Sequence, residues 1–200
     1  MYDLDGLGGA PKLYAVAKDR PMIIMEYVDG LTVEKLVYNS DKKQKQLLIS
    51  VMRKTVDRVC ELHEAGYTHG DIHEGNILVC KTTQSEADVR LIDFGLCSQM
   101  PENELKYQKI IGDINDIMIL LRTVGLLDGD EVKAMAFLVF RYVTDQNVEH
   151  KKGQSEYLPI HLVRDLLRNP TFPANITKWF PILQNRSKAF REWRLYPDGR

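Results

Sequence analysis

The sequence is poor in the features that commit a chain to a special environment. Only three cysteines occur in 200 residues, Cys60, Cys80 and Cys97. They are odd in number and scattered, with no Cys-x-x-Cys pair, so neither a disulfide framework nor a zinc module is expected to organise the fold. No apolar run approaches the roughly 18 residues of a membrane span. Met1 is followed by Tyr-Asp-Leu-Asp, not by a basic segment and an apolar stretch. An excess of one charge is also missing. Lys and Arg number 27 against 28 Asp and Glu, a net charge of -1, which offers no electrostatic footprint for nucleic acid or an anionic membrane. Internal repeats and low-complexity linkers are absent. These absences predict a soluble, reduced, cytoplasmic protein with no nucleic-acid or membrane partner. The sequons at Asn175 and Asn185 then read as chance matches.

What is present is an ordered change of period along the chain. Gly6 to Pro11 is glycine-rich and reads as a surface turn. Lys12–Val16 and Met22–Tyr27 are short runs of β-formers around a Lys-Asp-Arg-Pro turn, which predicts a hairpin. From Asp41 to Ala65 apolar residues recur every three to four positions, with His63 on the same stripe. This is the pattern of a core-facing helix, stopped by Gly66. Ile77–Cys80 and Val89–Ile92 predict a second hairpin. Asp116–Val124, Glu131–Val143, Leu158–Arg168 and Ile176–Trp193 read as helices. Strand hairpin, long helix, strand hairpin and then helices give an α+β fold that is mainly α-helical.

Chemistry concentrates in His69-Gly70-Asp71-Ile72-His73-Glu74-Gly75-Asn76 and, beyond the next strand, in Asp93-Phe94-Gly95. The second hairpin brings Asn76 and Asp93 to neighbouring strand ends. There a carboxylate and an amide oxygen can share Mg²⁺, an ion that prefers a few hard oxygens together with phosphate and water. Asp71 stands just before the first of these strands, placed to orient or deprotonate a hydroxyl. Phosphoryl transfer asks little more of a protein than positioning and charge neutralisation. A cluster of His63, His69 and His73 with the cysteines is the weaker reading, as is a nucleic-acid surface built from the aromatic and basic residues between Trp179 and Arg194.

These blocks resemble the protein-kinase-like superfamily. His69–Asn76 is similar to its catalytic loop, and Asp93-Phe94-Gly95 to its metal-binding triplet. Met22–Gly30 is similar to the strand and hinge on which adenine docks. Asp116–Leu120 is similar to the start of the helix whose Asp holds the catalytic loop. The resemblance covers about Lys12 to Val124. It implies ATP and Mg²⁺ as cofactors, with Asp71 as base and Asn76 and Asp93 as metal ligands. The Glu26 and Val28 backbone would lie on the adenine edge, Met25 at the back of the pocket and Leu78 as its floor. It also implies a remnant small-lobe hairpin and hinge over 1–28 and a helical large lobe over 29–200.

The departures are informative. No Gly-x-Gly-x-x-Gly and no Val-Ala-x-Lys occurs. The Arg common between the loop's His and Asp is Gly70 here, which argues against switching by activation-loop phosphorylation. His73, also a candidate catalytic residue, replaces the Lys of Ser/Thr kinases, as in the aminoglycoside and choline kinases. The segment from Asp93 to Asp116 is short and lacks Ala-Pro-Glu, leaving little platform for a peptide. The expected function is transfer of the ATP γ-phosphate to a protein or small-molecule hydroxyl. The alternative is a truncated or pseudokinase lobe acting as a scaffold, and the hairpin's free edge predicts a strand partner or a homodimer.

Overall fold

The structure is a computed structural model that describes residues 4–17, 19–38, 45–82, 87–103, 105–146 and 157–177. Strands β1 (Leu13–Val16) and β2 (Ile23–Met25) pair antiparallel as a two-stranded sheet, with a bulge at Tyr14. Strand β3 (Leu31–Thr32) leads directly into helix α1 (Val33–Tyr38). It pairs with β5 (Ile77–Thr82), which in turn pairs with β6 (Ala87–Leu91) to complete a three-stranded sheet. A third, minimal sheet joins β4 (Tyr67–Thr68) to β7 (Ser98–Gln99). Helices α2 (Lys45–Glu64), α3 (Leu105–Thr123), α4 (Gly129–Gln146), α5 (Pro159–Arg168) and α6 (Ala174–Thr177) supply the bulk.

Helix α2 is the central post, and its stripe decides what it touches. Val51, Met52, Val56, Val59 and Leu62 are buried at three- and four-residue spacing. They meet β6 on one side and α3 and α5 on others. Gly66, with φ of +85°, ends the helix in the left-handed conformation that glycine adopts without steric penalty. Most of the helix expected over Ile176–Trp193 lies outside the described residues. Asn175 of the first sequon is buried and donates its side-chain amide to the Leu166 carbonyl, so it is not a glycosylation acceptor in this fold.

Two sequence expectations are corrected. The glycine-rich lead-in is not a surface turn, because Gly8, Gly9 and Ala10 are buried against α2 and β6. A Cβ on Gly8 would stand 2.3 Å from Leu62 Cγ. These glycines therefore serve close packing. Helix α3 begins at Leu105, well before Asp116. Asn103 starts it by accepting the Leu105 N–H on Oδ1, an Asx-type cap. The sequence hides this because the first turns are mostly solvent-facing and Gly112 interrupts the pattern. The stripe Ile110, Ile114, Ile117, Leu121 nevertheless runs through both halves.

Candidate active site

The loop between β4 and β5 is fastened from below by two carboxylates of α3. Asp113, buried, accepts the His69 N–H on Oδ2 (2.9 Å) and the Gly70 N–H on Oδ1 (2.8 Å). Asp116 accepts the Ile72 N–H at 3.2 Å. His63 of α2 reaches the same Asp113 Oδ2 at 2.8 Å. The sequence resemblance points to Asp116 as the residue that holds the loop. The principal anchor is instead Asp113, three residues earlier, with Asp116 as a second. The available signal is an acid seated on an otherwise apolar helical stripe, which demands buried partners.

His69 fixes the loop from the inside. Its Nε2 donates to the Ile92 carbonyl at 3.1 Å, while Nδ1 accepts the Asp71 N–H at 3.3 Å. Only the neutral ring can do both, and burial accordingly holds its pKa below the ordinary value. Its ring centroid is 4.7 Å from that of Phe94, which couples the loop to the Asp93-Phe94-Gly95 turn. Gly70 has φ of +83°, and a Cβ there would come within 2.7 Å of the Leu96 carbonyl oxygen. An arginine is excluded from this position by backbone geometry. The segment after Asp93 is held instead by the β4–β7 pairing and by Met100 N–H donating to the Gly66 carbonyl at 2.7 Å.

The sequence-predicted reactive residues come together above that anchor. Asn76 donates its Nδ2 to the Asp71 carbonyl (3.0 Å) and to Asp71 Oδ2 (3.2 Å). No hydrogen bond among the described residues uses Asn76 Oδ1. Ile92 N–H donates to the Asn76 carbonyl at 3.0 Å, and Ile77 pairs with Leu91, so Asn76 and Asp93 stand at adjacent strand ends. Asp93 itself is left-handed (φ 60°) and caps the following turn by accepting the Gly95 N–H at 3.3 Å. His73 accepts the Gly75 N–H on Nδ1, and its Nε2 lies 3.8 Å from Asp71 Oδ2, both side chains being about half exposed. The donors available to an ion are therefore hard oxygens, two carboxylates and one unshared amide oxygen. They suit a Mg²⁺ that completes its shell with phosphate and water. Among the described residues no group of three or more His, Cys, Asp or Glu side chains forms a self-sufficient cage.

Beside this cluster lies a cavity of about 690 Å³. Its walls include Met25, Glu26 and Val28 from the hinge, Leu78 from β5, and Asp93 and Phe94. All four residues expected at an adenine site thus face one space that also reaches Asp93. Glu26 N–H is engaged by the Lys12 carbonyl at 2.8 Å. No hydrogen bond occupies the backbone of Val28 among the described residues. Arg90, which sequence reasoning missed, pairs with the Glu26 carboxylate at 2.7 Å and holds it below the usual carboxylate range.

Comparisons with known proteins bear on the family and the fold. Residues 9–116 match the family model of the ABC1 atypical kinase-like domain. The serine/threonine-protein kinase shk1/pak1 of Schizosaccharomyces pombe is 30% identical over 95 residues, 48% of this chain and 14% of that protein. The serine/threonine-protein kinase STE20 of Saccharomyces cerevisiae is 34% identical over 97 residues, 48% of this chain and 10% of that protein. This chain thus spans a small fraction of the length of the curated relatives it matches. A crystal structure of the Rad53 kinase domain and SCD2 superposes with a TM-score of 0.50 at 15% identity. It covers 80% of this chain and 64% of that one, and the likeness is one of fold. Among the described residues no helix is long and apolar enough to cross a membrane.

Proposed function

Because the chain belongs to the ABC1 atypical kinase-like domain family, we propose that it is a cytoplasmic phosphotransferase that moves the ATP γ-phosphate to a substrate hydroxyl. The observation that carries this reading is the continuity of one cavity from Val28 of the hinge to Asp93, with Asp71 and Asn76 joined at the adjacent strand end. Adenine would sit between Met25 and Leu78 and bond to the free Val28 backbone. Asp71 would take the hydroxyl proton as the acceptor oxygen bonds to phosphorus and the bond to the ADP oxygen breaks. The Asn76 amide restrains Asp71 from swinging away. Mg²⁺, held by Asn76 and Asp93, would neutralise the phosphates. His73, beside Asp71, would face the incoming phosphate. The short run from Phe94 to α3 favours a small acceptor over a peptide.

The test is thermal unfolding with and without millimolar Mg²⁺–ATP, beside an Asp93→Ala variant. Ligand at about 100 times its dissociation constant adds roughly 2.7 kcal/mol, a rise of about 5–10 °C at this size. The rise should need Mg²⁺ and vanish in the variant. A wild-type protein that shows no shift is not a nucleotide-dependent enzyme as it stands.

A binding-module reading has its own observation. Ile23, Ile24 and Met25 of β2 are 51%, 49% and 40% exposed, an apolar edge suited to a strand-donating partner or a second copy.

A further inference from the structure

Hairpin β1–β2 carries the hinge, yet it is barely packed on the rest of the fold. Its strands contact chiefly each other, and Tyr14, Ile23 and Ile24 are about half exposed or more. A two-stranded ribbon with so little burial does not fix its own orientation. Even so, Met25, Glu26 and Val28 line one part of the cavity, and Asp93 and Phe94 line another. Something must hold the two parts at a constant separation.

We propose that Arg90 is the positioning residue for the nucleotide, a single guanidinium that locks the hinge onto the strand leading to Asp93. It stands on β6, three residues before Asp93. Its Nη2 and Nη1 reach the two Glu26 carboxylate oxygens at 2.7 and 3.4 Å. Its Nε donates to the Gly9 carbonyl at 2.8 Å, and Nη2 also donates to the Ala10 carbonyl at 3.1 Å. Three segments are thereby tied to one planar group: the hinge, the lead-in to Pro11, and β6, which runs on into Ile92 and Asp93 of the cavity lining. Glu26 completes the arrangement by accepting the Lys12 N–H on Oε2 at 3.0 Å, which binds the start of β1 to the same carboxylate. Gly9 is part of the device. Its φ is +76°, and a Cβ there would crowd the Arg90 Cα and the Arg58 side chain, each at 3.3 Å, so a glycine suits the close approach of the lead-in to β6.

The fork geometry is specific to arginine. A lysine at this position offers a point charge that can satisfy the carboxylate or the carbonyls, but not both sets in one plane. Arg90 is absent from the residues lining the cavity, so its influence on a ligand passes through Glu26 and the hinge. The assignment rests on the nucleotide reading of the cavity, and the experiment separates the two.

Arg90→Lys and Glu26→Gln are compared with the wild type in two measurements. One is titration with the fluorescent analogue trinitrophenyl-ATP in the presence of Mg²⁺. The other is hydrogen–deuterium exchange of the hinge peptide over residues 22–28 in the ligand-free protein. Both variants should raise the dissociation constant about tenfold or more, and turnover should show the loss mainly in KM with kcat changed about threefold at most. The same variants should speed exchange of the hinge by about tenfold while α2 keeps wild-type protection. Glu26→Gln keeps the arginine and its two carbonyl bonds, so it reports on the clamp even if Arg90→Lys folds poorly. Variants that bind and exchange like the wild type would overturn the clamp and leave the nucleotide reading standing. Weaker binding with unchanged hinge exchange would also overturn it, since the effect would not travel through the hinge. A wild-type protein that fails to bind the probe would overturn both.

Discussion

His63 Nε2 lies 2.8 Å from Asp113 Oδ2, and water reaches neither side chain. One carboxylate in that dry site also accepts the His69 and Gly70 N–H groups, so helix α2, helix α3 and the reactive loop converge on it. An amide in its place would turn one acceptor into a donor facing another donor. Asp113→Asn should therefore cost about 3 kcal/mol of stability and most of the phosphotransfer, although Asp113 touches no ligand. His63→Ala should cost less, because it removes one donor of three. A double-mutant cycle in urea should give a coupling of about 1 kcal/mol or more. Additive losses would mean that the loop is held elsewhere.

Asp116 sits on the same helix in a different state. Burial, the largest influence, pushes its carboxyl up from 3.8 to about 6, against the Ile72 N–H bond that lowers it. The folded value exceeds the unfolded one, so the fold binds an extra proton between pH 3.8 and about 6. Stability from this group is fully present at low pH and is lost as pH rises through about 6. His69, held below 6.5 by burial, acts in the opposite sense and costs stability as pH falls below 6.5. Asp116→Asn keeps an acceptor for Ile72 and removes only the first effect. Urea midpoints across the acid range should show the variant gaining on the wild type as pH rises through 6. Parallel curves would place Asp116 in water.

Gly70 gives a backbone prediction. Its φ is +83°, and the Leu96 carbonyl oxygen lies only 2.7 Å from where a methyl group would stand. Gly70→Ala should cost about 2–4 kcal/mol. Gly70→Arg, which restores the residue common in the superfamily, should be worse. Hydrogen exchange should open first between residues 94 and 100, where the loop and the following segment touch. Wild-type stability for Gly70→Ala would show that the two segments separate freely.

Asp71 and Asp93 should part company under substitution. Asp71→Asn leaves the cavity and the oxygen donors of Asp93 and Asn76 in place, so the Mg²⁺–ATP thermal shift should persist. Turnover should fall about 10²–10⁴-fold, the usual worth of a positioned base. Asp93→Ala should lose both. If Asp71→Asn loses the shift as well, Asp71 belongs with the nucleotide-binding groups and the base must be sought elsewhere.

How much of this is legible in the sequence follows from how local each signal is. The α2 stripe and both hairpins can be read because spacing along one helix or strand carries them. Asp71, Asn76 and Asp93 stand out because two contiguous motifs, His69–Asn76 and Asp93–Gly95, resemble those of the protein-kinase-like superfamily. Asp113 and Asp116 are harder to tell apart, because they lie three apart on one helix and only the loop packed against them decides which is the anchor. Gly8 and Gly9 look like any turn until Leu62 and Arg90 are seen against them. Arg90 sits on a short β-run where a charged residue reads as solvent-facing. Its partners lie 64 to 81 positions away in the chain, and no periodicity reports that.

The same distance problem surrounds the hairpin, where the final prediction lies. Strands β1 and β2 have no third strand among the described residues, and Val16 and Ile23, paired across the ribbon, are 41% and 51% exposed. Unpaired backbone groups beside exposed β-branched side chains template another strand. Taken alone in solution, this chain should self-associate through that edge, seen as a sedimentation coefficient that rises with concentration. Ile24→Lys places a charge on the ribbon, 49% exposed at that position, and should return the protein to a monomer with its melting temperature little changed, because Ile24 contributes almost nothing to the core. A wild-type protein that stays monomeric at high concentration would show that the twist of the ribbon and its bulge at Tyr14 already protect the edge.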